Sequence, residues 1–269
     1  MRGTTLLWIT LAGLFLALFA LSAYPEHTAL IATFIIPPLA LLILITPLSH
    51  YALIVLKHAR RHQFIQRYVT LRGYHHIPKT QHAQLALQSE FTPRAPQQLK
   101  TRALNAFTWT LQDETGTVFD LNHAILEHET KAHMLTSTCM IHSKNHLDLP
   151  YILLRAQQPG IAEQIALSNT PWGSWEARTR KGPTPTNWIL LSTNIHIAQD
   201  IIPQSMIETL DGLPWKNLDG TPLATLELMG NTIKLSAPLL ATTHEMDLLI
   251  STSTLIKNEL DRRYDAKTL

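Results

Sequence analysis

The sequence is poor in the residues on which disulfide-stabilised and nucleotide-binding proteins depend. Its 269 residues include one cysteine, Cys139, so no intrachain disulfide can form, which is typical of a reducing compartment. Only ten glycines are present, and none belongs to a phosphate-binding, dinucleotide-binding or nucleophile-elbow motif. These absences exclude the common glycine-rich nucleotide sites, and we predict no bound cofactor.

Charge is also scarce and unevenly placed. Charged residues make up 16% of the chain, and the formal net charge of +2 is too small to indicate a nucleic-acid partner. No acidic residue lies between Glu26 and Glu90. Two long apolar runs occupy much of the N-terminal part instead, at about 4–23 and 28–56.

Each apolar run is long enough to cross a bilayer, because a helix of roughly 20 residues spans the roughly 30 Å hydrocarbon layer. The second run contains Pro37, Pro38 and Pro47, which kink a helix without excluding it from a membrane. We therefore interpret residues 1–56 as a transmembrane hairpin. The alternatives are a cleaved signal peptide for the first run and a buried helix of a soluble protein for the second.

The flanking charges predict the orientation of this hairpin. The 24–27 loop contains Glu26 and no Lys or Arg, whereas five cations follow the second run: Lys57, Arg60, Arg61, Arg67 and Arg72. Lys and Arg are enriched on the cytoplasmic side, so we predict an inner-membrane protein with both termini and the main domain in the cytoplasm. The cations are candidates for binding anionic lipid, or they only set the topology. Gly13 and Ala17 form a small-xxx-small pair, which suits packing within the hairpin or a homodimer.

After the hairpin, residues 57–104 are predicted to form a basic juxtamembrane helix and linker, and residues 105–269 a soluble domain. The helix is predicted to end at Arg72, since Gly73 suits the left-handed position that follows a helix. From Asn105 onward, polar and apolar residues alternate with a period of two. This pattern predicts an antiparallel meander of strands at 105–111, 117–126, 133–142 and 151–155.

The C-terminal half combines strands with helices. Strands are predicted at 173–180 and 187–193, a short helix at 203–210, and a hairpin that turns at Gly230-Asn231. Thr242 and Glu245 have the spacing of a capping box. They precede one apolar stripe at helical spacing: Met246, Leu249, Ile256 and Leu260. A long C-terminal helix packed on a mostly antiparallel sheet defines an α+β fold.

Several short segments, taken in their order along the chain, resemble those of a known group of proteins. After the two apolar runs come Arg72-Gly73-Tyr74, Arg102 with Asn105, 116–120, 149–155 and Gly230-Asn231. In this order the chain resembles uncharacterised bacterial membrane-anchored proteins with two N-terminal transmembrane helices and a cytosolic α+β domain. The resemblance implies that architecture, and it implies no activity and no catalytic residue.

Histidine is the one over-represented reactive residue, with fourteen copies. Five of them are candidate metal ligands: His123, His128, His133, His142 and His146. Within a hairpin of 117–142, His123 and His133 could approach each other, with Glu127 or Glu129 as a carboxylate ligand. A metal site needs three or four convergent ligands, and a spacing of five changes the face of a strand. The alternative is that these histidines are ordinary surface residues.

No catalytic motif is present among the remaining reactive residues. His244-Glu245 lacks the second histidine of a zinc-protease helix, because position 248 is leucine. Cys139 has no neighbouring base in the sequence and is interpreted as a small core residue. The expected function is a protein-interaction or adaptor module tethered to the membrane. Two alternatives remain open, a membrane-tethered hydrolase whose histidines and acids converge only in the fold, and a module that senses anionic lipid or another ligand.

Overall fold

The structure is a computed structural model that describes residues 36–88, 102–111, 114–127, 130–143, 147–156, 173–178 and 187–268. The chain divides into two compact units, Met1–Ile65 and Gln66–Leu269. The first predicted apolar run and the beginning of the second lie outside the described residues. Within the described ranges, no helix combines the length and the apolar character that a bilayer crossing requires.

A long helix, α1 (Ile36–Arg72), continues through Pro47. Its predicted end is confirmed, because Gly73 has a φ of +67°. The N–H of Gly73 donates to the carbonyl of Thr70 at 3.3 Å, and the N–H of Tyr74 donates to the carbonyl of Val69 at 3.0 Å. These two hydrogen bonds form a Schellman motif, in which a glycine accepts the left-handed conformation that L side chains avoid.

In its described residues, the second unit is organised around a nine-stranded sheet in which every pair of neighbours is antiparallel. Its order is β1-β2-β3-β4-β9-β8-β5-β7-β6. The strands are β1 (His75–His76), β2 (Arg102–Leu111), β3 (Glu114–Glu127), β4 (Thr130–His142), β5 (Leu149–Ala156), β6 (Gly173–Arg178), β7 (Asn187–Ser192), β8 (Thr225–Gly230) and β9 (Thr232–Pro238).

Helices accompany this sheet: α2 (His82–Gln88), α3 (Ile195–Ile201), α4 (Gln204–Asp211) and α5 (Thr243–Thr268). The capping box of α5 is confirmed, since the N–H of Glu245 donates to Thr242 Oγ1 at 3.2 Å and the N–H of Thr242 donates to Glu245 Oε2 at 3.0 Å. All four residues of its predicted apolar stripe are buried. A mixed α+β domain with a large antiparallel sheet and a long C-terminal helix is therefore confirmed.

The strand register separates the side chains of the sheet into two faces, because residues paired across antiparallel strands point to the same side. One face carries Glu114, whose carboxylate accepts a hydrogen bond from Lys257 of α5. The opposite face carries Phe119, Leu121 and Met140, which form a buried cluster with Leu85 and Ala86 of α2. The long helix and α2 therefore cover opposite faces of the sheet.

Two predictions about the sheet need correction. The meander holds for β2, β3 and β4, but β4 then pairs with β9, and β5 lies between β8 and β7. Strands β3 and β4 reach Glu127 and Thr130, so both extend beyond the ends predicted at residues 126 and 133. Helix α3 was also not predicted. It is only seven residues long, and Asn194 caps it by accepting the N–H of Ile197 at 3.3 Å.

Candidate interaction groove

A buried charged cluster holds the C-terminal half of α5 against the sheet. The Nζ of Lys257 donates to Glu114 Oε1 at 2.6 Å and to Asp261 Oδ2 at 2.8 Å. The hydroxyl of Ser143 donates to Asp261 Oδ1 at 2.5 Å. Burial alone would lower the pKa of Lys257, but its hydrogen bonds to Asp261 and Glu114 outweigh burial and raise the pKa. The ammonium group is therefore a fixed charge that joins α5 to β3 and to the end of β4.

A second cluster holds the beginning of α5. The hydroxyl of Tyr68 donates to Asp247 Oδ1 at 2.8 Å, and the Arg72 guanidinium pairs with the other carboxylate oxygen. The Tyr74 ring stacks on Phe107 with 5.9 Å between the ring centroids. Burial and then the bond to Asp247 raise the pKa of Tyr68. The Arg72-Gly73-Tyr74 segment of the resemblance thus attaches the last turns of α1 to α5 and β2.

Two further segments of that resemblance meet at Asp120, which is buried. Its carboxylate accepts the side-chain amide of Asn105 at 2.8 Å and the hydroxyl of Ser137 at 3.2 Å. The Ser137 hydroxyl in turn accepts the N–H of Leu240 at 3.1 Å. Asn105 has a φ of +50° at an irregularity in the β2–β3 register, a conformation that asparagine tolerates better than most residues. The cluster joins three strands to the segment before α5, so its role is structural.

The outward side of α5 contributes to a groove of about 560 Å³. Helix α4 lines it with Ser205, Met206 and Thr209, and β2 lines it with its last residue, Leu111. The remaining lining comes from α5: Ser251, Thr254, Leu255, Ile256, Asn258, Glu259 and Arg262. Leu255 is 57% exposed and Leu111 is 44% exposed. The groove therefore presents two large apolar side chains to solvent, surrounded by hydroxyl groups.

One ion-pair cluster lies at the end of the groove. Arg262 Nη2 donates to Glu259 Oε2 at 2.5 Å, and Arg263 Nε donates to Glu259 Oε1 at 2.8 Å. Hydrogen bonds from Arg263 and Arg262 lower the pKa of Glu259. A carboxylate that is already engaged by two guanidinium groups is a poor general acid or base. This combination of apolar, hydroxyl and paired charged groups suits binding better than catalysis.

The five histidines that are candidate metal ligands have different positions in the structure. His142 is exposed, its Nδ1 lies 3.0 Å from Thr232 Oγ1, and partial desolvation lowers its pKa. In the β3–β4 register, His123 opposes Met134 and His133 opposes Ala124, so the two histidines are not cross-strand partners. His128 and His146 lie outside the described residues, as do the side chains of His123 and His133. Among the side chains that the structure describes, no group of three His, Cys, Asp or Glu could hold a metal ion.

The five candidate lipid-binding cations also differ in environment. Lys57, Arg60 and Arg67 are exposed. Arg61 is buried, with its guanidinium 5.2 Å from the centre of the Phe64 ring, and Arg72 pairs with Asp247. Two of the five cations therefore already have partners within the protein.

Cys139 is fully buried, as predicted from the sequence, and burial raises the pKa of its thiol to about 12. A thiol with this pKa stays protonated at neutral pH, and only the thiolate is a good nucleophile. Cys139 is therefore a core residue.

Sequence reasoning missed the groove. Leu255 lies outside the apolar stripe that was predicted for the C-terminal helix, and a large apolar residue on the polar side of an amphipathic helix was the available signal. The sequence pattern indicates Leu111 only as the end of a strand. No sequence signal links these two residues, which are far apart in the chain.

The fold and the groove define an α+β domain in which helices on one face of an antiparallel sheet form a surface suited to binding. No protein-family model matches the chain, and no curated protein sequence matches it. Among solved structures, the crystal structure of the mycobacterial trehalose monomycolate transport factor A, TtfA, is similar, with a TM-score of 0.50 and 14% sequence identity. The match covers 74% of this chain and 94% of that chain. At this identity the similarity concerns the fold alone.

Proposed function

We propose that this is a two-pass inner-membrane protein whose cytoplasmic α+β domain binds another protein, as an adaptor or assembly factor. The observation that carries the proposal is the groove beside α5. Single exposed leucines are common on protein surfaces, but Leu111 and Leu255 line one concave site together with Met206. Apolar side chains in a concave site with a polar rim are typical of places where a partner inserts its own apolar residues.

The membrane part of the proposal is supported by α1 and by the first apolar run. Before Lys57, the described side chains of α1 include five large apolar ones that are exposed: Leu41, Tyr51, Leu53, Val55 and Leu56. At roughly 100° of rotation per residue they point in several directions around the helix axis. Exposed apolar side chains on several sides of a helix are stabilised by an apolar environment such as a bilayer. The exposed Lys57 and Arg60 follow directly, as expected on the cytoplasmic side.

A binding role is also supported over the alternative of a hydrolase. Among the described residues, Asp120, Lys257 and Asp261 are engaged in buried hydrogen bonds with other protein groups. The structurally similar protein TtfA is named as a transport factor, and that name states no reaction. A role as a factor that assists another membrane component is consistent with both observations.

Site-specific crosslinking in native membranes tests the binding role. A photoreactive amino acid replaces Ser251, which is exposed in the groove, and a control variant carries it at Leu218, which is fully exposed and does not line the groove. We expect a reproducible protein adduct from position 251 only, which the added substitution Leu255→Asp abolishes. Equal adducts from both positions, or none from 251, would contradict the proposal.

A topology reporter tests the membrane orientation separately. We expect a reporter that works only in the cytoplasm to be active when it is fused after Leu269. We also expect the fusion protein in the membrane fraction. Activity of a reporter that works only in the periplasm, or recovery of the protein in the soluble fraction, would contradict the predicted anchor.

A further inference from the structure

We infer that the groove binds an amphipathic helix of a partner protein, which presents an apolar side chain and a carboxylate two helical turns apart. The inference rests on the proposed binding function and specifies the chemistry of the partner. Helix α5 lines most of the groove and α4 contributes to the same lining. A site formed between two helices is a common way to accept a third helix.

The apolar side chain of the partner is expected to lie on Leu111 and Leu255. Met206 is buried and lines the same groove, so an incoming leucine or phenylalanine would contact apolar atoms on several sides. Covering a large apolar side chain typically strengthens binding by at least about ten-fold. This contact is therefore expected to supply most of the affinity.

The carboxylate of the partner is expected to bind Arg262. The Arg262 side chain is 76% exposed, whereas the side chain of Glu259, which it pairs with, is only 22% exposed. Glu259 is shared with Arg263, so two guanidinium groups face one carboxylate. Among the described side chains of this ion-pair cluster, the most exposed charge is therefore the Arg262 guanidinium. A guanidinium has five N–H donors, and Arg262 keeps donors for a second carboxylate.

The spacing follows from the geometry of α5. Leu255 and Arg262 are seven residues apart on one helix, which corresponds to about 10.5 Å along its axis. A partner helix that lies along α5 matches this distance with an apolar residue and a Glu or Asp that are also seven residues apart. A basic residue at that second position would meet Arg262 and be repelled.

Fluorescence anisotropy with the full chain in detergent micelles tests this inference. The probes are two fluorescein-labelled amphipathic helical peptides that share their leucines and carry either Glu or Lys seven residues from the central leucine. We expect the Glu peptide to bind more tightly, and its binding to weaken with added salt. Leu255→Asp should weaken both peptides by at least about ten-fold. Arg262→Gln should weaken only the Glu peptide, by about two- to five-fold. The control Leu218→Asp should change neither.

The outcomes separate this inference from the proposed function. The inference would be overturned if both peptides bound equally and Arg262→Gln had no effect, or if neither peptide bound. A crosslinked protein at position 251 would still support an interaction module in that case. Peptide binding without any protein adduct at position 251 would instead contradict the proposed function. Because Leu255 and Arg262 are exposed, these substitutions are not expected to unfold the domain, and circular dichroism checks this.

Discussion

Replacing Lys257 by methionine should cost about 3 kcal/mol of the free energy of unfolding, because removing one member of a buried ion pair leaves its partners uncompensated. The Lys257 side chain is 5% exposed, and those of Glu114 and Asp261 are 17% and 16% exposed, so water screens the remaining carboxylates poorly. For a domain of this size, the loss corresponds to a fall in Tm of about 6–12 °C. The triple variant Lys257→Met, Glu114→Gln, Asp261→Asn should recover most of the loss, since it removes all three charges.

Thermal unfolding of the full chain in detergent, followed by tryptophan fluorescence, measures this change, because Trp109, Trp188 and Trp215 are buried. The exposed Lys216 provides the control variant Lys216→Met. The raised pKa of Lys257 also has a defined sign. Its contribution is fully present below the ordinary lysine pKa of about 10.4 and disappears as the pH rises through the higher folded-state pKa. If Lys257→Met lowers Tm no more than Lys216→Met does, the cluster does not stabilise α5.

Two further predictions concern packing and capping. Gly116→Ala should lower the free energy of unfolding by about 1–3 kcal/mol, because the new Cβ would lie 2.6 Å from a ring carbon of Trp109. In the control Gly212→Ala, the new Cβ lies no closer than 3.4 Å to its nearest neighbour. This control should change the free energy of unfolding by less than about 1 kcal/mol. Urea unfolding measures both, and equal losses would contradict the packing argument. Thr242→Ala should cost about 1 kcal/mol by removing the cap of α5. Burial raises the pKa of Glu245, but hydrogen bonds from two backbone amides outweigh burial and lower the pKa. The stabilising effect of Glu245 should therefore be present at neutral pH and be lost as the pH falls through that lowered pKa. A Glu245→Gln variant that keeps the same acid dependence would contradict this.

The elements that could be predicted from the sequence are those that depend on neighbouring residues. Gly73 ends α1, Gly230 forms the hairpin turn with a φ of +59°, and Thr242 caps α5. Each of these signals acts within about four residues, so a single sequence contains all the information that it needs. The same holds for the apolar stripe of α5, which follows from a helical period of 3.6 residues.

The order of the strands could not be predicted in the same way. Thr138 in β4 hydrogen-bonds to Ser236 in β9, which is 98 positions further along the chain. Alternation shows which residues of a strand share a face, but it does not show which strand lies beside it. Several apolar strands could have paired with β4, and the short hairpin of β8 and β9 occupies that position as a unit.

The candidate site was harder to predict than the fold. Leu111, Leu255 and Arg262 come from a strand end and from the polar side of a helix, and no chemical motif requires them to be near one another. The histidines are numerous, but their number alone does not place three ligands around one point. A binding surface made of ordinary residues has no signature in a single sequence.

The contact between Tyr68 and Asp247 determines where a soluble fragment of this protein can begin. Residues 66–74 belong to the same compact unit as the sheet, although the helix that contains most of them starts far upstream. A fragment that starts at His75 would expose the Phe107 ring to water and leave the Asp247 carboxylate without its two donors. A fragment that starts at Gln66 retains both contacts, so the boundary useful for expression lies inside the helix and not at its end.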